Sequence, residues 1–249
     1  MSTNEEEAGR PFDPLELLAA VLLGLAAIAT AFASYESALY GGKSVENYSK
    51  ANKIATEGAG ERSRAIVEMA RDNTIDSEAM RLILEGDDAP NPAAEQRNYF
   101  VATYLYTRQM SEAGYKALGL PPEARKADDT TEEDAPDGEE DKQTALQETL
   151  LEKAMEKDLS EDEEYRKEML AKSQSLFDEA EKVFQQGQQE NEVGDKFQLV
   201  AVVYAISLFF GGIMQVFRND GARKAILAAG GLFFVAATAY MLTLPMIAG

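Results

Sequence analysis

The sequence contains no cysteine and no histidine. Disulfide staples, thiolate or imidazole metal sites and any nucleophile relay that needs a histidine base are therefore excluded. Positive charge is also scarce, with 24 Lys and Arg against 44 Asp and Glu for a net charge of −20. Most of that excess lies between residues 41 and 197. Such a surface repels nucleic acid and anionic lipid headgroups, and it attracts cations, basic partners or water in a high-salt medium.

Formal charge is missing altogether from three long stretches. Leu17 to Tyr35 and Leu199 to Phe217 each run for 19 residues and Ala225 to Leu244 for 20. At about 1.5 Å of rise per residue each covers roughly 30 Å, the thickness of a bilayer's hydrocarbon core. Only a helix crosses that layer with its backbone polar groups satisfied, so three transmembrane helices are expected. An alternative for the first stretch is a signal peptide cleaved at Ala31-Phe32-Ala33. Glu5, Glu6 and Glu7 stand where such a peptide carries positive charge, and the apolar run is long, so a retained anchor is expected. Asp13-Pro14 supplies an N-cap and a first-turn proline just before it.

Between the first and second spans the pattern is helical. From Ser44 to Asp72, residues Val45, Tyr48, Ala55, Ala59, Ile66 and Met69 fall near a seven-residue repeat, one face of a long helix. Gly58 permits close approach of a neighbour. A short helix is expected from Thr74 to Glu85, then a turn at Gly86 and Ala89-Pro90-Asn91-Pro92. Ala93 to Leu118 reads as one central buried helix carrying Tyr99, Phe100, Tyr104, Tyr106 and Tyr115, with core packing favoured over an aromatic ligand pocket. Asp128 to Asp141 holds nine acidic residues in fourteen and no large apolar one, which predicts a disordered linker over 125–142. Its spacing does not reproduce an EF-hand loop, leaving only loose cation binding. Ser160 with Glu163 forms a capping box, and the helix it opens keeps Met169, Ser173, Leu176, Ala180, Val183 and Gly187 on one face. No proline interrupts this helix before the second span, so it is expected to return beside Ser44–Asp72 as an antiparallel pair.

The connection between the last two spans, 218–224, carries Arg218, Arg223 and Lys224. Short basic loops stay in the cytoplasm, which places the 41–197 domain outside. Small residues where spans could touch are Ala20 and Gly24, Gly211 and Gly212, and Gly230 and Gly231. No ionisable residue sits in the middle of a span, which argues against a pump or ion-coupled transporter. Glu36, beside Tyr35 and Tyr40, reads as an anchor reaching headgroup water.

Two stretches, Ala29 to Tyr48 (ATAFASYESALYGGKSVENY) and Phe197 to Met246 (FQLVAVVYAISLFFGGIMQVF through LTLPM), resemble uncharacterised three-span membrane proteins of bacteria and archaea. The resemblance implies the same layout of spans and hairpin and brings no active residues. The acidic middle of the chain departs from that family.

The expected fold is all-α: three transmembrane helices with a helical, partly coiled-coil-like soluble domain inserted between the first and second. In segments this gives an acidic tail (1–13), span one (14–40), the acidic domain (41–197), span two (198–217), a basic hairpin loop (218–224) and span three (225–246). No catalytic, cofactor-binding or metal-ligating residue is selected, because carboxylate-only chemistry needs two positioned acids and the charged domain offers no way to choose them. The expected role is a membrane-anchored scaffold or sensor in the cell membrane that binds a protein partner through its acidic domain, or assembles with itself. A pore-forming homo-oligomer with an acidic vestibule is the alternative.

Overall fold

A computed structural model describes residues 13–127 and 139–247. Among these residues the elements are helical throughout: α1 (Pro14–Asp87), α2 (Pro92–Tyr104), α3 (Glu112–Ala117), α4 (Pro122–Ala127), α5 (Glu139–Met155), α6 (Glu163–Ile213) and α7 (Asp220–Met241). α1, α6 and α7 are each long and apolar enough to cross a membrane. Helix occupies both ends of the expected linker, in α4 and from Glu139 onward, and the stretch between lies outside the described residues.

The helix starts follow side-chain caps. The Asp13 carboxylate accepts from the Leu15 N–H at 2.9 Å, and Asn91 accepts from the Ala94 N–H at 3.0 Å with Pro92 in the first turn. α1 then runs 74 residues, straight through Gly41-Gly42 and through the expected boundary before Thr74. Glycine weakens a helix by only about 1 kcal/mol, and the Thr74 hydroxyl donates to the Ala70 carbonyl inside the helix instead of starting a new one. Three further expectations need correction. α6 opens at Asp162, whose carboxylate accepts from the Tyr165 N–H at 2.9 Å, while Ser160 lies in a 3-10 turn capped by Asp158. Ala93 to Leu118 is not one helix. It passes through a π-helical turn at Leu105–Gln109, opens into extended backbone at Met110, and restarts at Ser111, whose hydroxyl accepts from the Gly114 N–H. The basic hairpin is shorter than 218–224, because Asn219 caps α7 and places Arg223 and Lys224 inside the helix.

The described residues form two compact units, one drawn from 1–52 and 180–249 and the other from 53–179. Within each, α1 and α6 run antiparallel. In the first unit Tyr40 stacks on Phe197, Tyr48 packs against Phe184, and Asn47 donates to Glu190 at 2.7 Å. In the second, Gly58 faces Leu176 and Phe177, Lys172 pairs with Glu61, and Tyr165 meets Asp72. The buried face of α1 is set by residues seven apart, small except for Asp72: Ser44, Ala51, Gly58, Ala65, Asp72, Ala79 and Gly86. The expected stripe is only partly right: Tyr48, Ala55 and Met69 are half-buried, with Tyr48 packed against Phe184 and Met69 against the core, while Val45, Ala59 and Ile66 are exposed. The apolar pattern misplaces the face because the partner helix is admitted by missing side chains rather than by large apolar ones.

In the first unit Ala33, Val200, Ala201, Tyr204 and Ala237 form the core between α1, α6 and α7. Leu18, Ile28, Leu199, Leu232 and Val235 face outward, the surface a hydrocarbon environment requires. The core of the second unit gathers Ile75, Ile83, Tyr106, Met110, Leu150, Leu159 and Tyr165 from α1, α5, α6 and the segments between.

Candidate functional site

The second unit is built over two carboxylates. Asp72 and Asp76 lie one turn apart on α1, so both point to the same face, and both are buried. Asp72 accepts from the Ser111 N–H at 2.9 Å, from the Tyr165 hydroxyl at 2.7 Å, and from the Ser111 hydroxyl in a short contact. Asp76 accepts from the Tyr106 hydroxyl at 3.0 Å. Burial pushes the Asp76 carboxyl above its ordinary range, against the Tyr106 and Leu159 hydrogen bonds, which favour its charged form. Burial likewise holds the Tyr106 and Tyr165 hydroxyls far above the usual tyrosine value, so both remain donors. Gly114 completes the arrangement: a Cβ there would stand 2.6 Å from an Asp72 oxygen.

Beside this cluster opens a groove of about 760 Å³ between the middle of α1 and the π-turn segment. Arg64, Glu68 and Arg71 line one wall, Arg108 and Ser111 the other, with Val67 between. Arg71 donates to the neutral Gln109 side chain at 3.2 Å. Arg64 and Lys172 both reach Glu61, each at 3.1 Å.

A second groove, about 550 Å³, lies between the end of α1, α2 and α5. Ile83, Leu151 and Met155 contribute its apolar surface, and Asp87, Glu95, Glu148 and Glu152 its charge. Tyr99 shapes it by lying across Gly86, where a Cβ would approach the ring to 2.5 Å. The hydrogen bond from Tyr99 to Asp87, with some burial, pushes the phenol up to about 12. Among the described residues no group of three or more acidic side chains is placed to hold a metal ion.

The expected packing residues divide. Gly58, Ala180, Gly187, Gly211 and Gly230 are buried at helix contacts. A Cβ on Gly187 would sit 2.9 Å from the Tyr48 ring and 3.2 Å from the Ser44 carbonyl oxygen, and one on Gly230 would sit 3.0 Å from Phe210. Gly24, Ala59 and Gly212 are exposed, and Gly24, Gly212 and Gly231 have open space where a Cβ would go. Of the hairpin charges, Arg218 and Lys224 are exposed. Arg223 is only 13% exposed and pairs with Asp13 at 2.7 Å, Glu16 at 3.5 Å and Asp220 at 3.6 Å, so it ties the start of α1 to the start of α7. Glu36 does not reach headgroup water. It is fully buried and accepts from the Ile247 N–H at 2.9 Å, because Pro245 to Ile247 lie against this part of α1, where Tyr40 also donates to the Pro245 carbonyl.

Polar contacts between the apolar helices are not evident from hydropathy alone. Ser207 donates to the Gly230 carbonyl at 2.8 Å, and the Tyr204 and Thr238 hydroxyls lie 2.9 Å apart. The available signal was polar side chains at a spacing of three within an apolar run. Comparison with protein-family models, curated proteins and solved structures finds no match for this chain.

Proposed function

We propose that this chain is a multi-pass protein of the cell membrane that presents a helical binding module, acting as a scaffold or sensor for a partner protein with a basic, partly apolar segment. The observation that carries this reading is the second groove, whose apolar floor is ringed by Asp87, Glu95, Glu148 and Glu152. An apolar floor gives affinity, and surrounding carboxylates select and steer a cationic partner. Support for the membrane part comes from the three long apolar helices and the outward apolar side chains of the first unit. The hairpin between α6 and α7 faces the cytoplasm in this proposal, on the strength of Arg218 and Lys224 beside a short turn. Residues 53–179 then lie on the opposite side. Arg223 contributes less to that bias, since its guanidinium is engaged by three carboxylates.

The test uses the full chain isolated from native membranes after crosslinking. A partner retained by the wild type and lost from Glu148→Lys/Glu152→Lys, with the chain still resisting carbonate extraction, is the expected result. Equal retention by the charge-reversed chain overturns the assignment of the groove. Cation conductance by the purified chain in planar bilayers would replace the scaffold reading with an oligomeric pore.

A further inference from the structure

The first groove carries the opposite charge from the rest of the chain. Its surroundings hold Arg64, Arg71, Arg108 and Lys172 against Glu61 and Glu68, on a protein whose net charge is −20. Asp72 does not reverse this balance at the groove surface. It also lines the groove, and counting it still leaves four cations against three carboxylates.

Arg64 and Arg71 are seven residues apart on α1, two turns along one face, or about 10 Å. Arginine side chains on that spacing, with Arg108 across the groove, can converge on a single ligand. The hydrogen-bond partner of Arg71 is an uncharged carboxamide, which an anion can displace without separating an ion pair. Glu61 is shared by two cations, so Arg64 is incompletely neutralised. Val67, 67% exposed between the two arginines, adds an apolar contact. The volume, about 760 Å³, falls within the range of roughly 300–1,000 Å³ typical of small-molecule sites. Guanidinium groups match phosphate and carboxylate oxygens through paired, charge-assisted hydrogen bonds.

We infer that this groove is a binding site for a small polyanion carrying phosphate or carboxylate groups, separate from the acidic groove that receives the partner protein. The inference rests on the binding-module reading but uses different residues. A phosphate group could come from a free solute or a lipid headgroup, and the experiment separates them.

The full chain is placed in nanodiscs of neutral phosphatidylcholine and titrated calorimetrically with inorganic pyrophosphate and, separately, with citrate. Saturable binding of at least one probe is expected, weakening as salt is raised. Arg71→Gln should weaken it about tenfold and Arg64→Gln/Arg71→Gln abolish it, since each removes charge-assisted hydrogen bonds. Arg97→Gln, an exposed arginine on α2 that does not line the groove, should leave it unchanged. Repeating the titration in nanodiscs containing phosphatidic acid identifies the source. Suppressed probe binding supports the same site with a lipid ligand, and undiminished binding supports a soluble one. No binding of either probe in neutral discs, or equal binding by Arg64→Gln/Arg71→Gln, overturns the inference. Because the partner test reads Glu148 and Glu152, the two can fail independently.

Discussion

The same two helices meet in both units of this protein, but by different means. Where α1 and α6 pair in the unit of residues 1–52 and 180–249, Gly187 and Gly194 bring backbones together, with Ser44 and Ser37 carbonyl oxygens 3.2 and 3.4 Å from where a Cβ would lie. Where they pair in residues 53–179, a buried carboxylate, Asp72, receives the Tyr165 hydroxyl across the interface. At Gly187 and Gly194 the first contact leaves little room for a side chain, so added volume there is costly. The second depends on donors and acceptors that must all be matched. The contrast separates sites sensitive to size from sites sensitive to polarity along a single pair of helices.

The most disruptive way to break the comparison is at Asp72. Asp72→Ala removes the acceptor for three donor groups, two on Ser111 and one on Tyr165. Thermal unfolding in mild detergent should show a loss of about 3 kcal/mol or more, with the conservative Asp72→Asn recovering part of it. Next comes volume. Gly187→Leu should cost about 1–3 kcal/mol by overpacking against Tyr48 and the Ser44 backbone. Gly212→Leu and Ala59→Leu, at exposed positions, should change stability by less than about 0.5 kcal/mol. If Ala59→Leu proves as costly as Gly187→Leu, the burial stripe on α1 is misassigned.

A smaller effect should follow Ser207→Ala, which deletes the hydrogen bond to the Gly230 carbonyl between apolar helices. Polar contacts of that kind contribute about 0.6 kcal/mol on average in membranes. Reversible unfolding of the embedded protein is the check. The last test concerns charge rather than energy at neutral pH. The Asp76 carboxyl is raised above its ordinary value in the folded chain, chiefly by burial. The folded state therefore holds its proton more tightly than the unfolded state does. Its contribution to stability is fully present at pH below the ordinary carboxylate value and is lost as pH rises through the folded value. Asp76→Asn should remove that slope, so the difference in stability between wild type and variant should change across the acidic range. A constant difference would mean Asp76 titrates normally.

Much of this architecture was legible in the residues. Uncharged runs of nineteen and twenty residues located the three apolar helices, and on α6 the series from Met169 to Gly187 gave the buried face correctly, because large apolar and small residues share it. On α1 the same reasoning selected Val45 and Ile66, both exposed, since there the interface residues are mostly glycine, alanine and serine and hydrophobicity does not mark them. The two grooves were not legible. The arginine-lined one joins residues 60–72 to 108–111, a pairing created by the break after the π turn. Nor did hydropathy reveal that Asp72 and Asp76 lie inside, because a carboxylate reads as solvent-facing unless its donors are known. Glu36 was misplaced for the same reason, its N–H donor lying 211 positions away in sequence.

The π turn at Leu105–Gln109 has a consequence for how the protein tolerates length changes. One wider turn absorbs a single extra residue without altering the helix before it. It sets adjacent Tyr106 and Thr107 both inward and leaves Arg108 outward. Deleting one residue in this segment would restore an ordinary α-helical phase and turn the remaining residues of the segment by about 100° before the chain opens at Met110. Ser111 would then leave Asp72, and Arg108 would leave the groove wall. Deleting Leu105, which neither lines the groove nor bonds either carboxylate, would act as a register switch: it would separate the arginine groove from the carboxylate cluster while keeping Arg64, Arg71, Arg108, Asp72 and Ser111.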